Sequence, residues 1–573
     1  MEQKEEYVFI RSTWNINNRI MQQGGDSFSF DISGLIVDVV SEKIVKGVVI
    51  VKDGVIVDIE EREDVNSSQI VMPGFVDSHV HIESSMLLPT EFARAAVRNG
   101  VVAAMADPHE IANVDGVDGV RFMMDNADKA YFKFFFGVPS CVPAAPFDMG
   151  GAVIGVNGVS DLLADKRVTH LAEMMNYPGV IHGDPDVMGK LSVAKKLGKP
   201  VDGHAPGLSG QDLVTYIKAG ISTDHEVVDI CEAEEKISLG MKVQIREGSA
   251  GKSFDILCPL VNQYPSHVMF CTDDCHPDDL LNGTINLLVK RGLKKGLNFF
   301  NLLKAATVNA VEHYGLNVGL LRKGDPADFI VVNNLDDFDV QETYINGRRV
   351  YSSYSNFSVA QKEAVTPINN FSIDPISISD IQVKGLPNKK LRVIEAIDRD
   401  LYTHLLVETP TLDEDGNVVS NVDQDILKIV VCNRYEPMKP AVGFIKGFGF
   451  KRGAICSSVA HDSHNIVAIG ADDIAIVEVV NMLIDKEGGI GAHDGKSAYL
   501  FALPVGGIMS MTNAESAASA YDFIQEKARL LGTSLTAPFM TMAFMSLIVI
   551  PELKLASRGL FDVAKFEPVD LFV

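Results

Sequence analysis

The sequence predicts an α/β protein: a (β/α)8 TIM-like barrel, a small composite β-sandwich domain formed from both of its flanks, and a C-terminal α/β (α+β) domain. Three observations predict it. From about residue 73 to 315, apolar strands alternate with helical stretches. Eight candidate strands end near His81, Asp107, Pro139, Met174, His204, His225, Arg246 and Asp273, the number and span of a barrel. Short β-branched runs occur on both sides of that region, and 573 residues exceed what one core can serve, so two or three domains are expected.

The elements follow in order. Phe30–Ile32, Leu35–Val40, Val48–Val51 and Val55–Ile59 read as strands, and Asp53-Gly54 between two β-branched runs signals a hairpin. The same texture returns at Asp328–Val332 and Thr343–Tyr351, so 1–72 and 318–360 are expected to form one small β domain around a barrel at 73–317. Among the barrel helices, Ser209–Gly220 has a polar start, an apolar face and a terminal glycine. Residues 352–372, rich in Ser and Asn, read as a linker into a third region at 361–573. Its strands are expected near 392–397, 427–432 and 466–469, with glycine-rich turns at Gly443–Gly449 and Gly488–Gly491. The apolar stretch Ala537–Ile550 is 14 residues long, short for a membrane span, and reads as a buried helix.

Composition excludes several classes. A net charge of -25 repels a phosphate backbone, so no nucleic-acid partner is expected, and a small neutral substrate suits the chain better. Seven scattered cysteines without a CxxC pair indicate neither a zinc ribbon nor a disulfide framework. Met1–Glu6 lacks the basic-then-apolar pattern of a signal peptide, so a cytoplasmic protein with no membrane partner is expected.

The chemistry lies at the strand ends. His79 and His81, one residue apart in an extended strand, point to one face and reach one place. The fourth strand brings Glu173, the fifth His204, the sixth His225 and the eighth Asp273. His204 and His225 are 21 residues apart, about one βα step, and His225 and Asp273 are 48 apart, about two. All six side chains are therefore expected to converge on the C-terminal mouth of the barrel. Four imidazoles and two carboxylates suit zinc, manganese or iron rather than calcium or magnesium. Six ligands exceed the needs of one tetrahedral ion, so two divalent ions bridged by Glu173 are expected (Mn2+ or Fe2+ first, Zn2+ next), with Asp273 as proton carrier.

This layout resembles the amidohydrolase superfamily, and the local strings are similar to bacterial-type adenine deaminases over essentially the whole chain. They are Pro73–Met86, Asp107–Val114 (Asp-Pro-His-Glu-Ile-Ala-Asn-Val), Glu173–Val180, Asp202–Gly210, Asp224–Glu226, Arg246–Ser249 (Arg-Glu-Gly-Ser), Cys271–Asp274 and Val459–Asn465. The resemblance implies hydrolysis of adenine to hypoxanthine and ammonia, in purine salvage, by metal hydroxide. Glu173 stands in it where many amidohydrolases use a carboxylated lysine. It also implies a homodimer or higher homo-oligomer with adenine and water as substrates. The alternatives are another cyclic-amide or aryl-amine amidohydrolase and a catalytically inactive scaffold barrel.

Other residues carry two readings. Asp274 is expected to bond a purine ring nitrogen or to cap the following helix. Asp107, His109 and Glu110 face the mouth by topology, with proton relay or substrate contact expected, chiefly for Asp107. Glu83 and Glu226 follow ligands closely and read as substrate contacts or supports of an imidazole. Arg246 is expected at the substrate or in an ion pair with Glu247. His461 and His464, at i and i+3 without a carboxylate at ligand spacing, read as structural or as a lid over the mouth.

Overall fold

The computed structural model describes residues 28–145, 147–249, 251–355, 358–360 and 364–573; the Met1–Glu6 segment lies outside the described residues. The barrel strands are β1 (Phe75–His81), β2 (Val101–Ala106), β3 (Lys133–Val138), β4 (Val168–Met174), β5 (Val201–Gly203), β6 (Thr223–Asp224), β7 (Lys242–Arg246) and β8 (Val268–Cys271). Parallel pairing runs β1 to β5, passes to the β6 segment through Val201 opposite Ile221, and continues to β8. Asp273 and Asp274, just past β8, pair in parallel with Val80 and His81 of β1 and close the circle. Every residue of β1 and β2 is buried, because helices cover the outside while side chains fill the interior.

The two flanks of the barrel meet in one seven-stranded sheet. Ile70–Pro73 sits at its middle, parallel to Ser29–Asp38 on one side and antiparallel to Phe329–Val332 on the other. Asp53 (φ 51°) and Gly54 (φ 84°) make the tight hairpin between Lys43–Lys52 and Val55–Glu61. Ile36, Val49, Val51, Ile56, Val71 and Phe329 form its core.

The C-terminal region folds around an eight-stranded sheet of mostly antiparallel strands. Its central strand Ile426–Cys432 is buried throughout, and period-two alternation explains how. Leu427, Ile429 and Val431 join the core shared with the barrel, whereas Val430 and Cys432 pack with Ile476, Val479 and Leu483 of the helix Asp473–Asp485. Two expectations need correction. Gly443 and Gly489–Gly491 lie inside strands (Ala441–Lys446 and Gly489–His493) that carry covered faces, so their small size serves close packing rather than turns. Within Ala537–Ile550 only Pro538–Ala543 is helical; Phe544 to Ile548 are buried in irregular form, and Val549 is exposed.

Candidate metal centre

His79 and His81 sit at the end of β1 with their Nε2 atoms 3.1 Å apart, as side chains two apart on a strand must be. His81 Nδ1 lies 3.0 Å from the Asp107 carbonyl oxygen. A carbonyl only accepts, so Nδ1 carries the proton and Nε2 is left with a lone pair for a cation. Asp273 Oδ1 stands 3.0 Å from His81 Nε2 and 3.6 Å from His79 Nε2. Its backbone has φ 59°, a conformation aspartate tolerates better than most residues, and this break after β8 turns the carboxylate into the mouth.

Glu173, at the end of β4, lies between two groups of imidazoles. Its Oε2 is 3.0 Å from His204 Nδ1 and 3.1 Å from His225 Nε2, while Oε1 is 3.7 Å from His81 Nε2 and 3.3 Å from His109 Nδ1. Burial pushes this carboxyl up, but the neighbouring His204 and His225 hold it well below the usual carboxylate range. Candidate ligand atoms of His79, His225 and Asp273, and of Glu173, His204 and His225, fall within 4.8 Å of one another, as do those of His81, Asp107, His109 and Glu173. Both oxygens of Asp107 and Nδ1 of His109 are buried without a hydrogen-bond partner. A buried polar atom left unpaired is costly, so a set of imidazoles and carboxylates with orphaned acceptors fits a divalent cation well.

Residues 70–350 match the amidohydrolase family and residues 400–567 match the adenine deaminase C-terminal domain. An adenine deaminase of Methanosarcina mazei is 52% identical over 553 residues, covering 94% of this chain and 99% of that protein. One from Salinibacter ruber is 50% identical over 548 residues, covering 95% and 99% respectively, so the likeness spans all three regions. The chain belongs to the adenine deaminase family.

In this family member the strand ends that carry these imidazoles and carboxylates are fixed by buried polar bonds. Asp77, two residues before His79, accepts from the Thr272 backbone N–H at 3.0 Å and from its hydroxyl, tying β1 to the segment that carries Asp273. Burial pushes the Asp77 carboxyl up to about 7. Tyr216 donates to the Met174 carbonyl at 2.7 Å and accepts from the His204 N–H at 3.1 Å, joining the ends of β4 and β5. Lys236, fully buried, donates to Asp224 at 2.7 Å and to the Ala205 carbonyl at 2.8 Å, holding the residues beside His225 and His204. None of these supports was singled out in the sequence; Asp77 lies two positions before His79, whereas Tyr216 and Lys236 reach the strand ends from the helices Gly210–Lys218 and Ile230–Ser238.

Arg246 does not pair with Glu247. Alternation along β7 sends the two to opposite faces. Arg246 Nη1 donates to Asp273 Oδ2 at 2.6 Å, Nη2 donates to Glu226 Oε2 at 3.0 Å, and Glu247 pairs instead with Arg291. Glu226 Oε1 is also 3.7 Å from His204 and 3.6 Å from His225. Asp274 accepts from the Ser84 hydroxyl, and the helix Pro277–Asn282 is capped at His276, so the capping reading of Asp274 does not hold. Glu83 accepts from the Ile111 N–H at 3.2 Å through one oxygen, the other is unpartnered, and burial pushes its carboxyl up to about 7.

Glu110 faces the C-terminal domain. Its Oε1 is 2.7 Å from His461 Nδ1, and its Oε2 bonds His464 Nε2. The carboxylate that the histidine pair lacked in sequence is thus supplied from the barrel. Asp462, between those histidines, went unnoticed in the sequence, yet it is 4% exposed and groups with His109 and Glu110.

Proposed function

We propose that the protein hydrolyses adenine to hypoxanthine and ammonia, with His79, His81, Glu173, His204, His225 and Asp273 holding two divalent cations and manganese or iron as the native metal. One observation carries this reading: the two oxygens of Glu173 face separate sets of imidazoles, which is what a carboxylate between two ions requires. The relatives named adenine deaminase, at 50% identity and above over nearly their full length, support the substrate. A bound divalent ion lowers the pKa of water from about 15.7 toward about 7, which makes a nucleophile available at neutral pH.

The protein's own residues do the rest. Asp273 is the base: Arg246 at 2.6 Å favours its ionised form, so it is ready to take a proton and return it to the departing ammonia. Asp107, buried with neither oxygen hydrogen-bonded and with Oδ2 3.4 Å from His109 Nδ1, is the second proton carrier or substrate contact at the same mouth. Glu83, Asp274 and His109 line the approach to it. We place the chain in a reducing, cytoplasmic setting, in keeping with seven unpaired cysteines. Among the described residues no helix is long and apolar enough to cross a membrane.

The test is a spectrophotometric assay of metal-loaded protein with adenine, guanine and cytosine. Adenine is expected to turn over fastest, with activity lost on chelation and restored by manganese. Guanine or cytosine turning over as fast would refute the substrate assignment.

A further inference from the structure

His109 opens the helix His109–Ala127 just past β2, and its buried imidazole stands between two groups of side chains. On one side Nδ1 lies 3.3 Å from Glu173 Oε1 and 3.4 Å from Asp107 Oδ2, yet no hydrogen bond satisfies this nitrogen. On the other side Nε2 faces Glu110 Oε1 at 3.5 Å. The two sides set the tautomer. A proton on Nδ1 would go unused, whereas a proton on Nε2 meets a carboxylate. The lone pair is then on Nδ1, among candidate ligand atoms of His81, Asp107 and Glu173 that all lie within 4.8 Å of one another and of it. A lone pair buried among carboxylate oxygens is costly unless a cation joins them.

The spacing suits that cation. Two atoms about 2.1 Å from one ion stand about 3.0 Å apart at a right angle and about 3.4 Å apart at the tetrahedral angle. The distance between His109 Nδ1 and Glu173 Oε1, 3.3 Å, falls between the two.

Glu110 is in turn held from the other domain. His464 Nδ1 accepts from the Ala460 N–H at 3.3 Å, so its proton is on Nε2, which donates to Glu110 Oε2. His461 Nδ1 is 2.7 Å from Oε1, and its ring stacks on Phe544 with centroids 4.6 Å apart. Tyr435 donates to the Ser463 carbonyl at 2.6 Å, and Asn465 Nδ2 donates to the Met149 carbonyl at 2.9 Å, which anchors the segment carrying both histidines.

We propose that His109 is a further ligand of the metal centre, through Nδ1, and that Glu110 is its carboxylate partner, held in place by His461 and His464. The two histidines are positioning residues, and through them the C-terminal domain sets how tightly the barrel holds one of its ions. The inference rests on the two-ion reading, not on the identity of the substrate. A carboxylate at the far nitrogen fixes the orientation of a ligating imidazole and raises its basicity, and losing such a partner costs about 10–100-fold in metal affinity.

The experiment measures manganese per chain and manganese affinity by chelator competition. After cobalt replacement it also records the visible spectrum of the bound ion. In His464→Leu one of the two ions should bind about 10–100-fold more weakly, with the other unchanged. His464→Gln keeps an N–H that can donate to Glu110 and should restore most of that affinity. His109→Ala should weaken the same ion at least as much and shift the cobalt spectrum, since a nitrogen leaves the ion. Adding His464→Leu to His109→Ala should weaken it no further, because the clamp acts only through that imidazole. A purely structural role would give additive losses and no rescue. If His464→Leu does not fold, Glu110→Gln, which keeps the shape and removes the charge facing His109, takes its place in the cycle. Unaltered affinity and cobalt spectrum in His109→Ala, or additive losses in the double variant, would overturn the proposal. An unsubstituted protein that takes up no manganese ends the two-ion reading and this inference together. No readout uses adenine, so a failed deamination assay would sink the substrate assignment alone.

Discussion

Replacing Arg246 by methionine keeps much of the aliphatic volume of the side chain and removes its charge. The guanidinium donates to Asp273 Oδ2 at 2.6 Å and to Glu226 Oε2 at 3.0 Å, and the side chain is 11% exposed, so little water screens these contacts. Burial pushes the Asp273 carboxyl up, and Arg246 leads the groups that hold it well below the usual range. Bound cations favour the same ionised form. In Arg246→Met the acidic limb of the kcat–pH profile should move to higher pH, with activity falling on that limb. Glu226 also loses its counter-charge, and breaking a buried pair costs about 3–5 kcal/mol of stability, with the lower figure apt for a group at the rim of the mouth. The assay is adenine deamination across pH with metal content checked, together with urea unfolding. An acidic limb that stays in place in fully metallated protein would refute the reasoning.

Glu173→Gln keeps the shape of the bridge but leaves one neutral oxygen where two charged ones stood beside His204, His225, His81 and His109. Metal per chain should drop from two to one or none, and adenine turnover should fall by about 10³ or more, roughly 4 kcal/mol in the barrier; two retained ions by elemental analysis would contradict the bridging role. Lys554 is fully buried in the C-terminal domain, where among the described residues the Leu401 carbonyl, at 2.8 Å, is its hydrogen-bond partner, and burial lowers its pKa from 10.5 to about 7. Between those values the unfolded chain binds the extra proton, so stability rises with pH through about 7 to 10.5, and the full penalty is present below 7. Lys554→Met should therefore unfold at a higher temperature at pH 7, by an amount that shrinks toward pH 10. The gain is bounded at about 5 kcal/mol and reduced to about 2 by the orphaned Leu401 carbonyl; a melting difference independent of pH would contradict this.

The convergence of these side chains was legible in the chain because barrel geometry is nearly one-dimensional. Each strand ends at the same mouth, and a His-x-His on an extended strand must share a face, so strand order alone converts the distant residues His79, Glu173, His204, His225 and Asp273 into a ring. The strand texture of the two flanks was legible in Leu35–Val40 and Val48–Val51 before the barrel and in Asp328–Val332 after it, but the pairing that joins them runs through Ile70–Pro73, which read as part of the first barrel strand. The apolar run Ala537–Ile550 misled because burial of nearly every residue from Pro538 to Ile548 removes the periodicity that separates a helix from an irregular buried segment.

By itself, then, the sequence determined the barrel, its ring of imidazoles and carboxylates, and the kind of ion they suit. These follow from local strand alternation repeated at regular intervals. Only the tertiary structure decided that Glu110 meets His461 and His464, 351 and 354 positions away, and that Asp462 lies beside His109 and Glu110. Docking one domain on another depends on the fit of two whole surfaces, and no spacing within either domain encodes which side chains will face each other across it.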